Sequence, residues 1–328
     1  MKINYLLVIA LALALVFGTA FFALFGPSAE ESVKVGYTPI LSQLPLFVAV
    51  EEGYFEEEGI EVELVKFDAP NHLNDALLQG QIDITCPGMA LGIFAITEQK
   101  NPGKIEVYSI VGGTPDAPVA KVLVRKESEI RSVSDIKGKK LGIFGGTIQW
   151  IVITKNYLEM HGLKAYEDVE IVELTPALQV QALASGQIDA LLALEPMATV
   201  ALEQGFARVV DGSAAETTIN NPSWIGAGAI NTAYKEKNPE KVEAYLRAIK
   251  RGIEFTENRT GNAIKHLPKY TPVSEELAAK VPLWLYRTCD EIGKEELEGM
   301  QNFYDLFTKY GVVEGRINTE ANLYCKKG

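Results

Sequence analysis

The sequence is poor in the residues that build most metal and redox sites. Its 328 residues include only three cysteines and three histidines. Cys86, Cys289 and Cys325 are too few for a disulfide scaffold and too scattered for a cysteine-based zinc site. The histidines are equally scattered and form no HExxH pair. We therefore expect no metal site and no haem, iron–sulfur or other cofactor.

Positive charge is also in short supply. Lys and Arg number 31 against 43 Asp and Glu, which gives a formal net charge of −12. Such an acidic chain is poorly suited to nucleic acid or an anionic membrane surface as its main partner. Its 47% hydrophobic and 23% charged content is typical of a globular protein with a core. The length fits one long domain or two ordinary ones of about 100–200 residues each.

The one long hydrophobic run of the chain lies at its N-terminus. After Met1 and Lys2, residues 5–25 are uncharged and almost wholly apolar. A single lysine before such a run is the layout of an export signal. The run is also roughly long enough to span a bilayer, which takes about 20 residues. Residues 1–29 are therefore expected to be either a cleaved signal peptide or an N-terminal membrane anchor, and both place the acidic body outside the cytoplasmic membrane, in the periplasm or at the cell surface.

The body of the chain contains an internal duplication. From residue 32 onward, short β-rich runs alternate with helical stretches, as in an α/β fold with mostly parallel strands. The segment YFEEEGI at 54–60 resembles YLEMHGL at 157–163, and ALLQGQID at 76–83 resembles ALASGQID at 182–189. The two pairs occur in the same order and at similar offsets. This pattern predicts two related lobes.

The chain is expected to cross between these lobes twice. A predicted strand at 119–124 leaves the first unit, and a glycine-rich return strand at 223–230 could absorb the dihedral changes of a hinge. We predict that residues 30–120 and 225–328 form lobe 1 and that residues 121–224 form lobe 2. Each lobe is expected to be a mostly parallel sheet flanked by helices, and the lobes to be joined by a two-crossing hinge.

Five segments carry a resemblance to a known family. They are VKVGYTP at 33–39, FVAVEEGYFEEEGIEVEL at 47–64, LQGQID at 78–83, SDIKGKKLG at 134–142 and LASGQIDALLALEP at 183–196. In this order they resemble the solute-binding proteins of nitrate/sulfonate/taurine-type ABC importers, a group that includes binders of thiamine-pyrimidine precursors. The resemblance implies a two-lobed periplasmic-binding-protein fold of type II. It also implies a monomer that closes on one small organic solute and delivers it to the transmembrane subunits of an ABC permease.

The solute is expected beyond the carboxyl ends of the strands, where loops lead into helix N-termini. The resemblance places the family's pocket in these same loops. The candidate ligand-binding residues are Tyr37, Thr38, Gln43, Leu44, Asn71, Cys86, Pro87, Gly88, Met89, Gly145, Gly146, Thr147, Gln149, Glu195 and Trp224.

Two of these loops leave alternatives open. The backbone N–H groups and hydroxyl of Gly145-Gly146-Thr147 would suit a carboxylate, sulfonate or ring oxygen, but the segment could also be a plain turn with a helix cap. Glu195 follows a predicted strand and faces the cleft, where a buried carboxylate needs a partner. A cationic or N–H-rich ligand would provide one; alternatively, Glu195 caps the helix that Pro196 begins.

The candidate loops favour a binding role over an enzymatic one. The candidate loops hold no nucleophile–base pair, because Thr38, Cys86 and Thr147 have no histidine near them in sequence. Pyrimidine synthases of the same fold carry a cysteine-rich motif that this chain lacks. We therefore expect a binding protein and no enzyme. The alternatives are an enzyme of pyrimidine or cofactor biosynthesis and a ligand-sensing domain. Export would also permit a disulfide between Cys289 and Cys325.

Overall fold

The computed structural model describes residues 31–258, 260–271, 273–320 and 323–326. The predicted signal or anchor at residues 1–29 lies outside these residues. In the part of the chain that is described, no helix is both long and apolar enough to cross a membrane. The residues from Val33 onward belong to one structural unit.

The described strands fall into two sheets, one of seven strands and one of five. Their bounds are β1 (Val33–Tyr37), β2 (Val62–Lys66), β3 (Ile84–Thr85), β4 (Met89–Ala90), β5 (Ile105–Gly113), β6 (Ala120–Arg125), β7 (Lys140–Phe144), β8 (Glu170–Leu174), β9 (Ala190–Leu194), β10 (Ala207–Asp211), β11 (Ser223–Asn231) and β12 (Leu285–Thr288).

Helices flank both sheets. Their bounds are α1 (Leu44–Glu51), α2 (Tyr54–Glu57), α3 (Pro70–Leu78), α4 (Leu91–Lys100), α5 (Ile148–Met160), α6 (Pro176–Ser185), α7 (Met197–Glu203), α8 (Ala214–Thr218), α9 (Thr232–Lys237), α10 (Pro239–Asn258), α11 (Thr260–Ala263), α12 (Leu267–Tyr270), α13 (Glu275–Ala278) and α14 (Lys294–Lys309). Short 3-10 turns are formed by Leu41–Gln43, Val133–Ile136, Ile264–His266, Cys289–Glu291 and Tyr324–Lys326.

Most strands of each sheet run in one direction. The seven-stranded sheet has the order β12-β5-β11-β3-β1-β2, with β4 paired to β11, and the five-stranded sheet has the order β10-β6-β9-β7-β8. Strand β1 is parallel to β2 and β3, and β7 is parallel to β8 and β9. Strand β6 is antiparallel to both of its neighbours, as is β11 to β3 and β5. The predicted α/β fold is thus confirmed. The two reversed strands, β6 and β11, are each the first strand that the chain forms after it passes from one sheet to the other.

Within the described residues, the chain passes between the sheets through two crossings. The first crossing, residues 114–119, connects β5 to β6, and the second, residues 212–222, connects β10 to β11 and contains α8. The seven-stranded sheet and its helices are called the first half below, and the elements from β6 to β10 the second half.

The internal repeat is visible at atomic level. In the first half, the carboxylate of Asp83 accepts the backbone N–H of Lys34 at 2.8 Å. In the second half, the carboxylate of Asp189 accepts the backbone N–H of Lys140 at 2.9 Å. The backbone N–H of each aspartate also donates to the carbonyl of the same lysine, at 2.9 Å in both halves. Equivalent residues therefore make equivalent contacts, as the duplicated motif predicts.

The predicted disulfide between Cys289 and Cys325 is present and ties the C-terminal segment to the turn after β12. Cys86 is free and fully buried. The main apolar core includes residues of both halves, among them Phe47, Trp150 and Phe303. The halves therefore share packed surface as well as two crossings.

Candidate functional site

A cavity of about 620 Å³ lies between the two halves. Its wall is built from the ends of β1, β2, β7 and β9, the start of α6 and the end of α12. Strands β1 and β2 are parallel, as are β7 and β9, so their carboxyl ends meet at one edge of each sheet, where α/β folds bind ligands. The wall residues are Thr38, Pro39, Ile40, Lys66, Asp68, Phe144, Thr175, Pro176, Ala177, Gln179, Leu194, Glu195, Pro196, Met197, Lys269, Tyr270 and Thr271.

Thr38 is presented to this cavity by a buried glutamine. The backbone N–H of Thr38 donates to Oε1 of Gln43 at 2.8 Å, and Nε2 of Gln43 donates to Oγ1 of Thr38 at 2.6 Å. Because Oγ1 of Thr38 already accepts, its proton is left to donate toward a ligand. Gln43 is fully buried and does not itself line the cavity. It orients Thr38.

Glu195 already has partners within the protein. Its carboxylate forms an ion pair with Nζ of Lys121 on β6. The other carboxylate oxygen accepts the backbone N–H of Thr199 at 3.1 Å and its hydroxyl at 2.8 Å. A cationic ligand is therefore not needed to compensate Glu195, since Lys121 supplies the charge. The alternative, a glutamate that caps the first turn of α7, agrees with the Thr199 contacts.

Gln149 joins the two halves next to the cleft. Its Oε1 accepts the backbone N–H of Gly92 on α4 at 2.8 Å, and its Nε2 donates to the carbonyl of Ile225 on β11 at 3.1 Å. It lines a small cavity of about 30 Å³, together with Gly88, Met89 and Thr147. This small cavity shares Thr38, Ile40, Phe144 and Leu194 with the larger one.

The Gly145-Gly146-Thr147 turn does not line the large cavity. The N–H of Gly145 donates to Leu174 on β8, and the hydroxyl of Thr147 accepts the N–H of Gln149 at 3.3 Å, so the turn caps α5. Gly146 has a φ of +83°, a left-handed conformation that favours glycine. Gly146, Thr147 and Asn71 line a separate groove of about 400 Å³.

The remaining candidates do not line the large cavity. The ring of Tyr37 packs edge-on against Phe47 and Tyr270. Burial raises the pKa of the Cys86 thiol to about 12, so it stays protonated at neutral pH. Leu44, Pro87 and Trp224 are buried. For all five, contact with a ligand stays a prediction.

Sequence reasoning missed the cations of the site. Lys66 and Lys269 line the large cavity, and Lys121 lies against Glu195. Lys121 could have been noticed as the one charge inside the apolar run AKVLV at 120–124. No sequence pattern marks Lys269 as a cleft residue. It lies on α12, some two hundred residues after β2, and tertiary packing alone brings it to the wall that Lys66 also lines. It is held there by its ion pair with Glu51.

Comparison with known proteins identifies relatives along most of the chain. The family described as NMT1/THI5 like matches residues 42–263. A 4-amino-5-hydroxymethyl-2-methylpyrimidine phosphate synthase of Saccharomyces cerevisiae is 25% identical over 289 residues, which cover 84% of this chain and 81% of the relative. An aliphatic sulfonates-binding protein of Escherichia coli is 30% identical over 266 residues, which cover 80% of this chain and 78% of that relative. The crystal structure of the periplasmic aliphatic sulphonate binding protein SsuA from Escherichia coli has a TM-score of 0.72 at 21% identity and covers 90% of this chain and 92% of that one.

The relatives correct one expectation and confirm another. The conclusion that the chain is no enzyme is wrong, because relatives that span most of it are named as pyrimidine phosphate synthases. It rested on the lack of a cysteine-rich motif and of a nucleophile–base pair within the loops. Side chains far apart in sequence, such as Lys121 and Glu195, nevertheless meet in the folded chain. The predicted resemblance and the periplasmic-binding-protein fold are confirmed.

Proposed function

The chain belongs to the NMT1/THI5-like family, and from the cavity between its two halves we propose that it is the extracytoplasmic solute-binding component of an ABC importer. It would hold a small organic solute between its two halves and deliver it to the permease. The observation that carries the proposal is the cavity of about 620 Å³ whose wall comes from both halves. This volume is within the range of about 300–1,000 Å³ that is usual for small-molecule sites.

The wall suits an organic acid with an apolar body. Ile40, Phe144 and Met197 offer apolar surface, and Lys66 offers positive charge. Lys269 adds an ammonium group that is paired with Glu51 outside the wall, and Asp68 adds one carboxylate. Glu195 does not demand a cationic solute, because Lys121 already neutralises it. A sulfonate or carboxylate placed near the lysines, with its hydrocarbon part against the apolar residues, would use both features.

Two further observations support a location outside the cytoplasm. The N-terminal run has the layout of an export signal or anchor. The bond between Cys289 and Cys325 is of a kind that forms and persists in oxidising compartments.

A thermal-shift screen of the body from residue 30 onward tests the proposal. The panel contains alkyl sulfonates, aromatic carboxylates, nitrate, bicarbonate and thiamine-type pyrimidines. A solute present at about 100 times its Kd stabilises the folded state by about 2.7 kcal/mol and so raises Tm. We expect the largest shift with an organic acid. If no member of the panel shifts Tm and one of them is turned over, the binding proposal fails.

A second candidate, synthesis of a phosphorylated pyrimidine, is favoured by the yeast relative named above. The same protein, incubated with and without candidate precursors and analysed by mass spectrometry, distinguishes the two. Formation of a pyrimidine phosphate would assign a synthase reaction to this chain. A Tm shift with recovery of the unchanged solute would assign binding.

A further inference from the structure

The two crossings meet at one buried carboxylate. Glu216 lies on α8 within the second crossing and is 6% exposed. Its Oε1 accepts the backbone N–H of Val119, the last residue of the first crossing, at 3.0 Å. The same oxygen accepts the hydroxyl of Ser223, where the second crossing enters β11, at 2.8 Å. One oxygen atom therefore links both connections between the halves.

The surrounding backbone leaves room for this carboxylate only because Gly113 has no side chain. A Cβ at Gly113 would lie 2.6 Å from Oε1 of Glu216, which is closer than real contacts allow. Gly113 ends β5 just before the first crossing and pairs with Ser223 in the sheet. The ends of both crossings therefore pack around Glu216.

Glu216 is also connected to the wall of the cleft. The carbonyl of Val119 accepts the backbone N–H of Glu195 at 3.4 Å. Two residues further along, Lys121 forms the ion pair with Glu195. The short segment 119–121 is thus held by Glu216 on one side and holds the cleft residue Glu195 on the other.

The energetics point to a geometric role for Glu216. Its Oε2 is buried and has no hydrogen-bond partner among the described residues. A buried carboxylate with one oxygen unpaired costs free energy instead of stabilising the fold. Its two accepted hydrogen bonds are nevertheless directional and charge-assisted, so they restrict the segments that donate them.

We propose that Glu216 is a positioning residue that fixes the two crossings relative to each other and thereby holds the cleft in its ligand-binding geometry. Rotation of one half against the other must change backbone torsions within the crossings. A carboxylate bonded to both crossings favours one setting of those torsions. The expected effect of Glu216 on affinity rests on the solute-binding function proposed above. Its expected effect on the arrangement of the halves does not.

The test measures that arrangement directly. Spin labels are placed on exposed residues of the two halves, through Glu63→Cys and Lys139→Cys, and the distance between them is measured by pulsed electron resonance without solute. Glu216→Ala removes both hydrogen bonds, and we expect a broadened or shifted distance distribution. Glu216→Gln keeps an acceptor oxygen and should restore the narrow distribution. Thr217→Ala, on the exposed side of the same helix, is the control and should leave it unchanged.

Affinity is the second readout, with 1-hexanesulfonate as the probe. If only a tenth of Glu216→Ala molecules retain the binding geometry, the apparent Kd rises about tenfold. Ser223→Ala removes the contact of Glu216 to the start of β11 and keeps its contact to Val119, so it should broaden the distances less. If Glu216→Ala does not fold, Ser223→Ala takes its place.

The two readouts separate the two proposals. An unchanged distance distribution in Glu216→Ala, or in Ser223→Ala if the former does not fold, overturns the positioning role. The same holds if Thr217→Ala broadens the distribution equally. Altered distances in a protein that binds no member of the solute panel would uphold the positioning role while the binding function fails.

Discussion

Replacing Lys121 with methionine removes the cation beside Glu195 and retains most of the apolar stem. The side chain of Glu195 is 0% exposed and that of Lys121 is 16% exposed, so the pair is largely shielded from water. Breaking a buried ion pair by removing one partner costs about 3–5 kcal/mol. The hydroxyl and N–H of Thr199 still donate to Glu195 in the variant, so we expect the lower end of this range, about 3 kcal/mol.

For a chain of this size, 1 kcal/mol corresponds to roughly 2 °C in Tm, so Lys121→Met should melt about 6 °C lower. Calorimetry measures Tm, and guanidinium unfolding measures the free energy of unfolding. The matched control is the double variant Lys121→Met/Glu195→Gln, which removes both charges and should recover most of the loss. An unchanged Tm in Lys121→Met, or a double variant as unstable as the single one, would refute the assignment of Lys121 as the counter-ion.

Three further predictions concern single carboxylates. Glu195→Gln frees Lys121 and should therefore tighten the binding of an organic anion, as measured by titration calorimetry; weaker binding would contradict this. Burial raises the pKa of Glu216 above its ordinary value. The folded protein therefore loses stability as pH rises through this raised pKa, because the buried carboxyl group must then ionise. Glu216→Gln should accordingly gain in Tm over the parent at about pH 8 but not at about pH 4. A hydrogen bond from His266 lowers the pKa of Glu52 in the folded state. The ionised Glu52 therefore stabilises the fold at pH values above its ordinary pKa, and this stabilisation is lost as pH falls through the lowered pKa. Glu52→Gln should cost about 0.2–1 kcal/mol at neutral pH, and a cost that persists in acid would argue against the linkage.

The architecture could be predicted from the sequence because its signals are local. Both copies of the duplicated motif end a helix at a glycine, Gly80 and Gly186, each with φ in the left-handed region at 67° and 77°. Each then supplies the aspartate, Asp83 or Asp189, that accepts an N–H of the first strand of its unit. A short motif that requires a left-handed glycine and an aspartate contact forms the same local structure in both halves. Its repetition in the sequence therefore predicts a repeated unit in the fold.

Part of the site could be predicted for the same reason. Thr38 and Glu195 follow strands that are recognisable in sequence, and the carboxyl ends of parallel strands form a shared edge. Residues such as Leu44 and Trp224 belong to the same stretches of chain, but they point into the core. The sequence pattern locates a loop, whereas the direction of each side chain depends on what packs against it.

The sequence by itself determined two related α/β units, a hydrophobic N-terminal segment and the loops that border a cleft. The tertiary structure alone decided the charge balance of that cleft and the contacts of the two crossings. Lys121 is 74 residues from Glu195, and Val119 is 97 residues from Glu216. Electrostatic and hydrogen-bond energies depend on distances of a few ångströms in space, and for such pairs only the packing of two sheets and two crossings sets those distances.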